Sequence, residues 1–326
     1  MIANLIKSLM AGLLFATPVF GSQGGFLFVT FRNEGGAMSE QMYFAISQDG
    51  QSWKALNGSR PVLVSQIGEK GARDPFVFRA HRGAKTYVIA TDLSMHFNPD
   101  WSRAVHGGSH SILVWESANL VKWSKPRLAA VAPEDAGCTW APEAIYDDAT
   151  GKYLVFWAST TADDHYAKQR IWACRTKDFI RFETPFIYID RPTAVIDADI
   201  VKEGSNYYRF TKDEAYKVIT METSERLTGT WRNVPGFTLA NARGYEGPEC
   251  YQLASGAWCL IADHYAAGSG YAPFVTTNLA SGVFTAGAGF HFPFAFRHGA
   301  VLPITAAEYA RLDSAFAAPV PDGQHE

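Results

Sequence analysis

Short runs of aromatic and β-branched residues, bounded by Gly, Asp, Asn and Pro, recur along the whole chain, while the apolar spacing of an amphipathic helix is scarce. Apolar runs of this length are typical of β-strands. The clearest runs are residues 26–31, 86–91, 152–157, 207–211 and 258–264. This pattern predicts an all-β protein with many short strands.

A second element follows each of these runs: another strand, a polar turn, and an aromatic residue a few positions later. The five copies end at Trp53, Trp123, Phe182, Trp231 and Phe284. Units repeated in this way indicate a β-propeller, in which four-stranded sheets surround a central channel. The sequence therefore predicts a five-bladed β-propeller.

Four of the units also contain a strand that begins with a carboxylate. Asp74 stands in Arg-Asp-Pro-Phe, Glu143 in Trp-Ala-Pro-Glu, Asp197 in Ile-Asp-Ala-Asp, and Glu246 in Glu-Gly-Pro-Glu. A single acid of this kind is explained by an ordinary turn. Repetition at the start of the innermost strand instead favours convergence of the acids at the mouth of the channel, which suits the two-carboxylate chemistry of glycosidic bonds.

The first unit lacks such an inner strand, and the missing piece is predicted at the other end of the chain. Residues 297–303 have the length and character of an inner strand. If this segment joins the N-terminal blade, the ring closes and no sheet edge stays exposed. We therefore expect residues 22–326 to form a single propeller domain with catalytic function.

Composition excludes several classes of function. The chain has 326 residues, 47% of them hydrophobic, and a net charge of −3. It is too apolar to be disordered, and it has no cluster of Lys and Arg of the kind that binds phosphates. Nucleic acid and membrane partners are not expected, and the protein is expected to be a monomer.

The N-terminus resembles a secretory signal. One lysine, the apolar run 8–20 and small residues around Gly21 predict a signal peptide over residues 1–21 and export to the periplasm or the extracellular space. The alternative is an N-terminal strand or helix that stays on the domain.

Four cysteines are spread along the chain without metal-binding spacing: Cys138, Cys174, Cys250 and Cys259. Cys250 and Cys259 could form a disulfide across a short hairpin. Free thiols in the core are the alternative, because free cysteine is among the most buried residue types.

The motifs Asp-Pro, Trp-Ala-Pro-acid, Ile-Asp-x-x-Ile and Glu-Gly-Pro, in this order, resemble those of glycoside hydrolase family 43. Members of this family are five-bladed propellers of the arabinofuranosidase and xylosidase type, which cleave glycans with inversion. The resemblance implies that Asp74 is the general base, that Glu246 is the general acid, and that Asp197 orients the acid and raises its pKa. It covers the chain from about residue 26 to residue 312.

The resemblance predicts removal of a terminal pentose, α-L-arabinofuranosyl above all, from oligosaccharides or polysaccharides of plant type. A β-xylosidase or an exo-β-galactosidase of the same family and a non-catalytic glycan-binding propeller are the alternatives. The loops 92–108 and 163–169 are expected to decide which sugar is accepted.

Two assignments have competitors. Arg73-Asp74-Pro75 also resembles the stabilising motif of retaining, fructan-cleaving propellers, but the N-terminal Asp that those enzymes need is absent, since residues 26–47 contain only Glu34 and Glu40 as acids. The inverting assignment is therefore favoured. Asp199 could exchange roles with Asp197, because alternation along a strand puts both on one side.

The other site predictions concern substrate contacts. His298 begins the fifth inner strand and, by the resemblance, lies on the axis near water or sometimes calcium, so a structural calcium near it is one expectation, with no cofactor otherwise. Trp101 is a further candidate platform for sugar, and Lys212 and Asp213 are candidates for holding hydroxyl groups. The predicted substrate-binding residues are Arg73, Phe76, Trp140, Glu143, Tyr245 and His298.

Overall fold

The computed structural model describes residues 23–32 and 36–317. The predicted signal peptide and Glu34 lie outside these residues. The described residues form five four-stranded antiparallel sheets, and the prediction of a five-bladed β-propeller is confirmed. No helix in the described part is long and apolar enough to cross a lipid bilayer.

Each blade runs from an inner strand at the channel to an outer strand. Blade 1 contains β1 (Gln23–Thr30), β2 (Tyr43–Ser47) and β3 (Lys54–Ala55). Blade 2 contains β4 (Ala72–Arg79), β5 (Thr86–Asp92), β6 (Ser111–Ser117) and β7 (Arg127–Ala130). Blade 3 contains β8 (Trp140–Asp147), β9 (Lys152–Ser159), β10 (Arg170–Thr176) and β11 (Phe186–Ile189).

The remaining blades follow the same order along the chain. Blade 4 contains β12 (Val195–Glu203), β13 (Asn206–Asp213), β14 (Val218–Ser224) and β15 (Arg232–Asn233). Blade 5 contains β16 (Glu246–Gln252), β17 (Trp258–Asp263), β18 (Tyr271–Thr276) and β19 (Thr285–Ala286). Within residues 23–32 and 36–317, the last strand is β20 (Ala300–Thr305), and the two α-helices are α1 (Trp101–His106) and α2 (Ala306–Ala315).

Strand β20 closes the ring as predicted. It pairs antiparallel with β1, with Val301 opposite Phe28, and so becomes the inner strand of blade 1. The Thr30 hydroxyl donates to the carbonyl of Arg297 at 2.6 Å, and the Arg297 amide donates back to the same hydroxyl at 3.1 Å. The pairing with β20 covers the edge of β1 and gives the N-terminal blade the same four strands as the other blades.

The hydrophobic core is divided among the interfaces between blades. Five buried clusters each join residues of two neighbouring blades. Phe44 of blade 1 and Trp115 of blade 2 belong to one cluster, and Phe78 of blade 2 and Phe179 of blade 3 belong to the next. The abundant aromatics therefore mainly pack blade against blade, since large rings fill the space between twisted sheets.

All four cysteines are buried and free. In blade 5 Tyr251, not Cys250, stands opposite Cys259. Neighbouring residues on a strand point to opposite faces of the sheet, so Cys250 and Cys259 are directed apart. Of the two alternatives, the structure shows free thiols.

A β-bulge near the start of four inner strands determines how the site is built. In β4, β8, β12 and β16 the pairing register shifts. One residue in each bulge has a left-handed backbone: Asp74 (φ 48°), Ala141 (φ 47°), Asp197 (φ 51°) and Gly247 (φ 51°). Bulges redirect side chains. In β4, β8 and β16 the left-handed residue is followed by a proline, which a bulge tolerates because proline has no N–H for the ladder.

Candidate active site

The bulges correct the alignment of the four predicted acids. Asp74 and Asp197 occupy the left-handed position itself, whereas Glu246 precedes it and Glu143 comes two residues after its equivalent, Ala141. Each short motif contains an acid near the start of a strand, so the motifs look alike. Only the pairing register of the strands shows that the acids stand at different positions relative to the bulge. The four acids are therefore not equivalent, and they divide between two levels of the channel.

The upper level is a cavity of about 350 Å³ at the channel mouth. Asp74, Asp197, Glu246 and His298 all line it, which brings together the three acids that the sequence singled out for chemistry. A larger cavity of about 490 Å³ lies around Asn206–Tyr208 and Arg232–Pro235 and contains none of these acids. We therefore place the candidate active site at the mouth, where the titratable groups converge.

Asp74 is held in place by a hydroxyl from the neighbouring strand. Thr91 donates to Asp74 Oδ2 at 2.9 Å, and its oxygen accepts the Ala141 amide of blade 3 at 2.7 Å. His298 Nδ1 lies 3.7 Å from the other oxygen, Oδ1. One carboxylate oxygen is thus fixed, while the other faces the middle of the site.

Asp197 is more deeply buried and is tied to the strand that carries Glu246. Its Oδ2 accepts the Gly247 amide at 3.0 Å, and His298 Nδ1 lies 3.9 Å from its Oδ1. Burial raises the pKa of Asp197 to about 6, and the charge of Glu246 adds to the rise, while His298 opposes it. Gly247 is required here, because a Cβ would lie 2.5 Å from His298 Cγ.

Glu246 is bound by two cations. Lys212 Nζ donates to Oε2 at 2.8 Å, and Arg297 Nη2 donates to Oε1 at 3.4 Å. Burial alone would raise the pKa of Glu246, but Lys212 and then Arg297 outweigh it, so that the pKa lies below its usual value. This direction is opposite to the expectation that Asp197 raises the pKa of the acid, because the sequence did not reveal that both cations meet there.

Lys212 is buried and contacts several side chains of the site. Its amine also pairs with Glu214 at 2.7 Å and lies 4.4 Å from the centre of the Tyr265 ring. Burial would lower the pKa of Lys212, yet the charges of Glu246 and Asp197 raise it overall. The amine therefore stays protonated across the physiological range and keeps a positive charge beside Glu246.

The sequence analysis did not identify several residues of the site. The pairing register of the strands could have identified them, because it places each one opposite a residue of a bulge. Thr91, Lys212 and Asp263 stand on the second strands, directly opposite the first bulge residue. Lys212 had been named only as a contact for hydroxyl groups. Asp263 accepts from Arg297 Nε at 2.5 Å and thereby positions that guanidinium next to Glu246.

The lower level of the channel contains a second group of acids. Carboxylate oxygens of Glu143, Asp199 and Glu249 lie within 4.8 Å of one another, and each residue is at most 5% exposed. Burial, followed by mutual repulsion, raises the pKa of Glu143 and Glu249 well above the usual value, and burial raises that of Asp199 to about 8. We call this group the deep triad.

The deep triad settles which aspartate of β12 faces the cavity. Asp199 Oδ2 accepts the Cys250 amide at 2.9 Å and does not line the mouth, whereas Asp197 does. Strand alternation had put the two on one side, but the bulge between Ile196 and Asp199 breaks that alternation. Glu249 bonds across to blade 1, where its Oε1 accepts the Val301 amide at 2.7 Å.

The predicted substrate contacts divide into two sets. Arg73, Trp140 and His298 line the cavity, although Arg73 is also paired with Glu40 at 2.9 Å. Phe76 instead stacks on Phe78 in the core at 5.6 Å between ring centres.

Tyr245 stacks on His264 at 4.3 Å and does not line the cavity. Glu143 belongs to the deep triad. The positions of Phe76, Tyr245 and Glu143 therefore do not fit a direct contact with substrate. Asp213 does not fit one either, since Oδ1 accepts the amides of Ala215 and Tyr216 and Oδ2 accepts from Thr193, so its carboxylate shapes its own turn.

The expected calcium near His298 stays a prediction. His298 Nδ1 faces Asp74 and Asp197 at 3.7 and 3.9 Å. Among the described residues, the only group of three or more His, Cys, Asp or Glu side chains close enough together to hold a metal ion is the deep triad, which does not include His298.

Comparison with protein families identifies the chain. A family model described as a probable glycosyl hydrolase domain, related to glycoside hydrolase family 43, matches residues 22–310. The chain belongs to this family. The match covers all five blades and both levels of the channel.

A curated relative is consistent with this family. The α-L-arabinofuranosidase of Bifidobacterium longum subsp. longum is 30% identical over 304 residues, which cover 78% of this chain. The match covers only 28% of that relative's own length. This family 43-related domain therefore corresponds to a part of a longer protein in the relative.

Solved structures share the fold. A β-1,3-galactosidase of family 43, bound to galactodeoxynojirimycin, superposes with a TM-score of 0.57 at 13% identity and covers 83% of this chain and 92% of its own. An endo-1,4-β-xylanase from Bacteroides thetaiotaomicron gives 0.55 at 14% identity, covering 86% and 99%. An exo-1,5-α-L-arabinanase from a bovine ruminal metagenomic library gives 0.53 at 17%, covering 77% and 89%. At these identities the likeness establishes the propeller fold alone.

Proposed function

We propose that this domain is an inverting glycosidase that removes terminal α-L-arabinofuranosyl residues from plant-type glycans. The observation that carries the proposal is the convergence of Asp74, Asp197 and Glu246 in one cavity at the channel mouth. Hydrolysis of a glycosidic bond with inversion requires two carboxyl groups on either side of the bond, one acting as general base and the other as general acid. The arabinofuranosyl preference is supported by the relative at 30% identity.

In the proposed reaction Asp74 accepts a proton from a water molecule, whose oxygen attacks the anomeric carbon. The bond from that carbon to the glycosidic oxygen breaks, and Glu246 gives its proton to the departing oxygen. The configuration inverts because water attacks the face opposite to the leaving group. The hydrogen bond from Thr91 leaves one oxygen of Asp74 free to take the proton.

Glu246 must take up a proton before it can act as the acid, and its environment in the free protein works against this. Lys212 and Arg297 hold its pKa low. A sugar in the cavity removes water from a side chain that is 25% exposed in the free protein, and its hydroxyl groups compete for the two cations. Both changes raise the pKa of Glu246, so that substrate binding itself prepares the acid.

Asp197 acts in this scheme as a positioning residue. It accepts the amide of Gly247 and so fixes the backbone next to Glu246. Its negative charge lies close enough to oppose ionisation of the acid once the substrate has excluded water. An aspartate whose own pKa is about 6 can also respond to changes in the charge of Glu246 near neutral pH.

The proposal is tested with 4-nitrophenyl glycosides of α-L-arabinofuranose, β-D-xylose and β-D-galactose. We expect the arabinofuranoside to be hydrolysed fastest. Asp74→Ala is expected to reduce kcat by at least about 100-fold, the usual contribution of a general base. Glu246→Ala should do the same on substrates with poor leaving groups and less on the nitrophenyl glycosides, whose leaving group needs little protonation.

Matched controls separate chemistry from folding. Glu143→Gln alters a carboxyl group on the neighbouring blade that does not line the cavity, and it should leave kcat within about threefold. Proton NMR of the first-formed anomer should show inversion. Retention, or undiminished activity in both Asp74→Ala and Glu246→Ala, would overturn the mechanism, and glycan binding without turnover would support the non-catalytic alternative.

A further inference from the structure

We propose that Trp101, at the rim of the cavity, is the platform on which the leaving-group sugar stacks, so that the segment between β5 and β6 selects branched or extended glycans over simple glycosides. This inference rests on the glycosidase function proposed above. It adds where the rest of the glycan lies once its terminal sugar is in the cavity.

Trp101 is unusual because a large aromatic ring stays uncovered in the wall of a binding cavity. It is 55% exposed and yet lines the cavity. Most rings of this size in the described residues are packed between blades, so the exposure excludes a core role. An exposed aromatic that adjoins a polar cavity marks a ligand surface.

The loop that leads to Trp101 and the loop that precedes β2 carry further exposed apolar side chains. Phe97 and Met38 are each 51% exposed. Their two loops are neighbours, since a Cβ at Gly36 would lie 3.8 Å from His96 Cε1. Of these exposed apolar side chains, only Trp101 lines the cavity.

The segment that carries Trp101 is held in place without a ligand. Asp100 caps α1 by accepting the Arg103 amide at 3.2 Å, and Arg103 makes two hydrogen bonds to Glu69, at 2.8 and 2.7 Å. Ala104 is fully buried, and the Thr160 hydroxyl of blade 3 donates to the carbonyl of Val105. A platform that is already ordered costs little conformational entropy when a sugar binds.

The neighbours of Trp101 place it outside the position of the cleaved sugar. Its ring stands perpendicular to Trp140, at 6.1 Å between centres, and the Arg73 guanidinium lies 5.7 Å from its ring centre. Trp140 is only partly exposed and Arg73 is buried, so both lie further in. A cavity of about 350 Å³ is at the small end of ligand sites, and a longer glycan must pass over the rim.

Sugar rings have one face lined with C–H groups and hydroxyl groups around the edge. Such a face fits the exposed indole, while the edge hydroxyls stay in water at the rim. The flat apolar face of the indole can pack against this face of the sugar, so the contact removes apolar surface from water on both sides. The sugar ring on the leaving-group side of the scissile bond therefore gains binding energy. A methyl glycoside, which releases only methanol, cannot make this contact.

The test compares two substrates that release the same sugar. One is a xylo-oligosaccharide with a single α-L-arabinofuranosyl branch, and the other is methyl α-L-arabinofuranoside. Trp101→Ala is expected to lower kcat/KM on the oligosaccharide by about 3- to 10-fold, mainly through KM, and to leave the methyl glycoside within about twofold. Trp101→Phe should recover most of the loss.

Ile180→Ala is the matched control, since Ile180 is 71% exposed on the hairpin between β10 and β11, at the opposite end of the blade. An equal loss on both substrates would place Trp101 against the cleaved sugar, and no loss on either would show that it contacts no sugar; both results overturn the inference. If the glycoside panel shows galactosyl specificity, β-1,3-galactobiose and methyl β-D-galactoside take the place of the pair. A wild type that hydrolyses neither substrate would overturn the proposed function and the subsite with it.

Discussion

Two groups of three acids lie on the inner strands of this propeller, and their surroundings differ. At the mouth, Asp74, Asp197 and Glu246 face Lys212, Arg297 and His298. In the deep triad, no ion pair among the described residues joins Glu143, Asp199 or Glu249 to a cation. The cations at the mouth lower the pKa of Glu246, whereas burial drives the acids of the deep triad towards the protonated form.

The difference shows that a shift of two residues along a bulged strand changes what a carboxylate can do. Asp197 and Asp199 differ by that distance, and their pKa values are about 6 and about 8. At the mouth, cations and partial access to water support proton transfer near neutral pH. In the deep triad, burial without cations makes each negative charge costly, so these acids are suited to joining blades.

The largest expected effect comes from removing β20, because this strand serves both levels. A chain that ends at Phe296 loses Arg297 and His298 from the mouth and the Val301 amide that Glu249 accepts. It also exposes the edge of β1. We expect loss of the cooperative thermal transition, measured by circular dichroism.

The matched control is a chain that ends at Ala317, which keeps all the described contacts. It should melt like the full-length protein. If the shorter chain also proves soluble and melts cooperatively, β20 is not needed to close the ring.

The second prediction tests the charge state of the deep triad. A carboxyl group with a raised pKa, such as Asp199 at about 8, is protonated in the folded state up to that pH, but in the unfolded chain only below about 4. Its contribution to stability is therefore full below about pH 4 and is lost as the pH rises through 8. We expect Tm to fall by at least about 4 °C between pH 5 and pH 9, which corresponds to a loss of about 1–2 kcal/mol in the free energy of unfolding.

Glu143→Gln removes one of the three ionisable groups, so the Tm of the variant should fall less between pH 5 and pH 9 than that of the wild type. The difference in Tm between variant and wild type should therefore favour the variant more at pH 9 than at pH 5. Glu308→Gln is a control at a half-buried acid outside the channel that pairs with Arg79, and it should leave the slope unchanged above pH 6. A Tm at pH 9 that falls when EDTA is added would instead show that a bound cation neutralises the triad.

The smallest expected effect concerns the acid at the mouth. Lys212→Gln removes the cation nearest to Glu246 and should raise the pKa of that carboxyl. The acid then stays protonated to higher pH, so the alkaline limb of the kcat profile, which reports the enzyme–substrate complex, should move up by about one pH unit. The shift is measured from pH 4 to pH 9 with methyl α-L-arabinofuranoside, whose poor leaving group needs the acid.

Lys217→Gln provides the matched control for this shift. Lys217 also lines the cavity and pairs with Glu214, but it has no ion pair with Glu246. Its profile should coincide with that of the wild type. An unchanged alkaline limb in Lys212→Gln would show that Lys212 does not control protonation of the acid.

Much of the fold could be predicted because it depends on local patterns. Alternation and turn residues predicted the strands, and the repeated aromatic at Trp53, Trp123 and Phe182 predicted the blades. The segment 297–303 had the character of an inner strand, which predicted the closure by β20. Such features require only that each short segment has the composition of the strand that it forms.

The site was predicted less completely. Asp74, Asp197 and Glu246 were identified from their motifs, and all three line the cavity. Thr91, Asp263 and the ion pairs of Lys212 and Arg297 were not foreseen, because these residues come from other strands and other blades. Phe76 and Tyr245 do not line the cavity, and an aromatic next to a site motif is as well suited to core packing as to substrate contact.

The sequence by itself determined the number of blades, the closure of the ring by its two ends, and the identity of three acids at the channel mouth. Only the tertiary structure decided how those acids are charged. The pKa of a carboxyl group depends on burial and on charges within a few ångströms, and here the charges that matter come from strands of other blades. The tertiary structure also decided which aspartate of β12 faces the cavity, because the bulge places Asp197 in the cavity and Asp199 below it on the same strand.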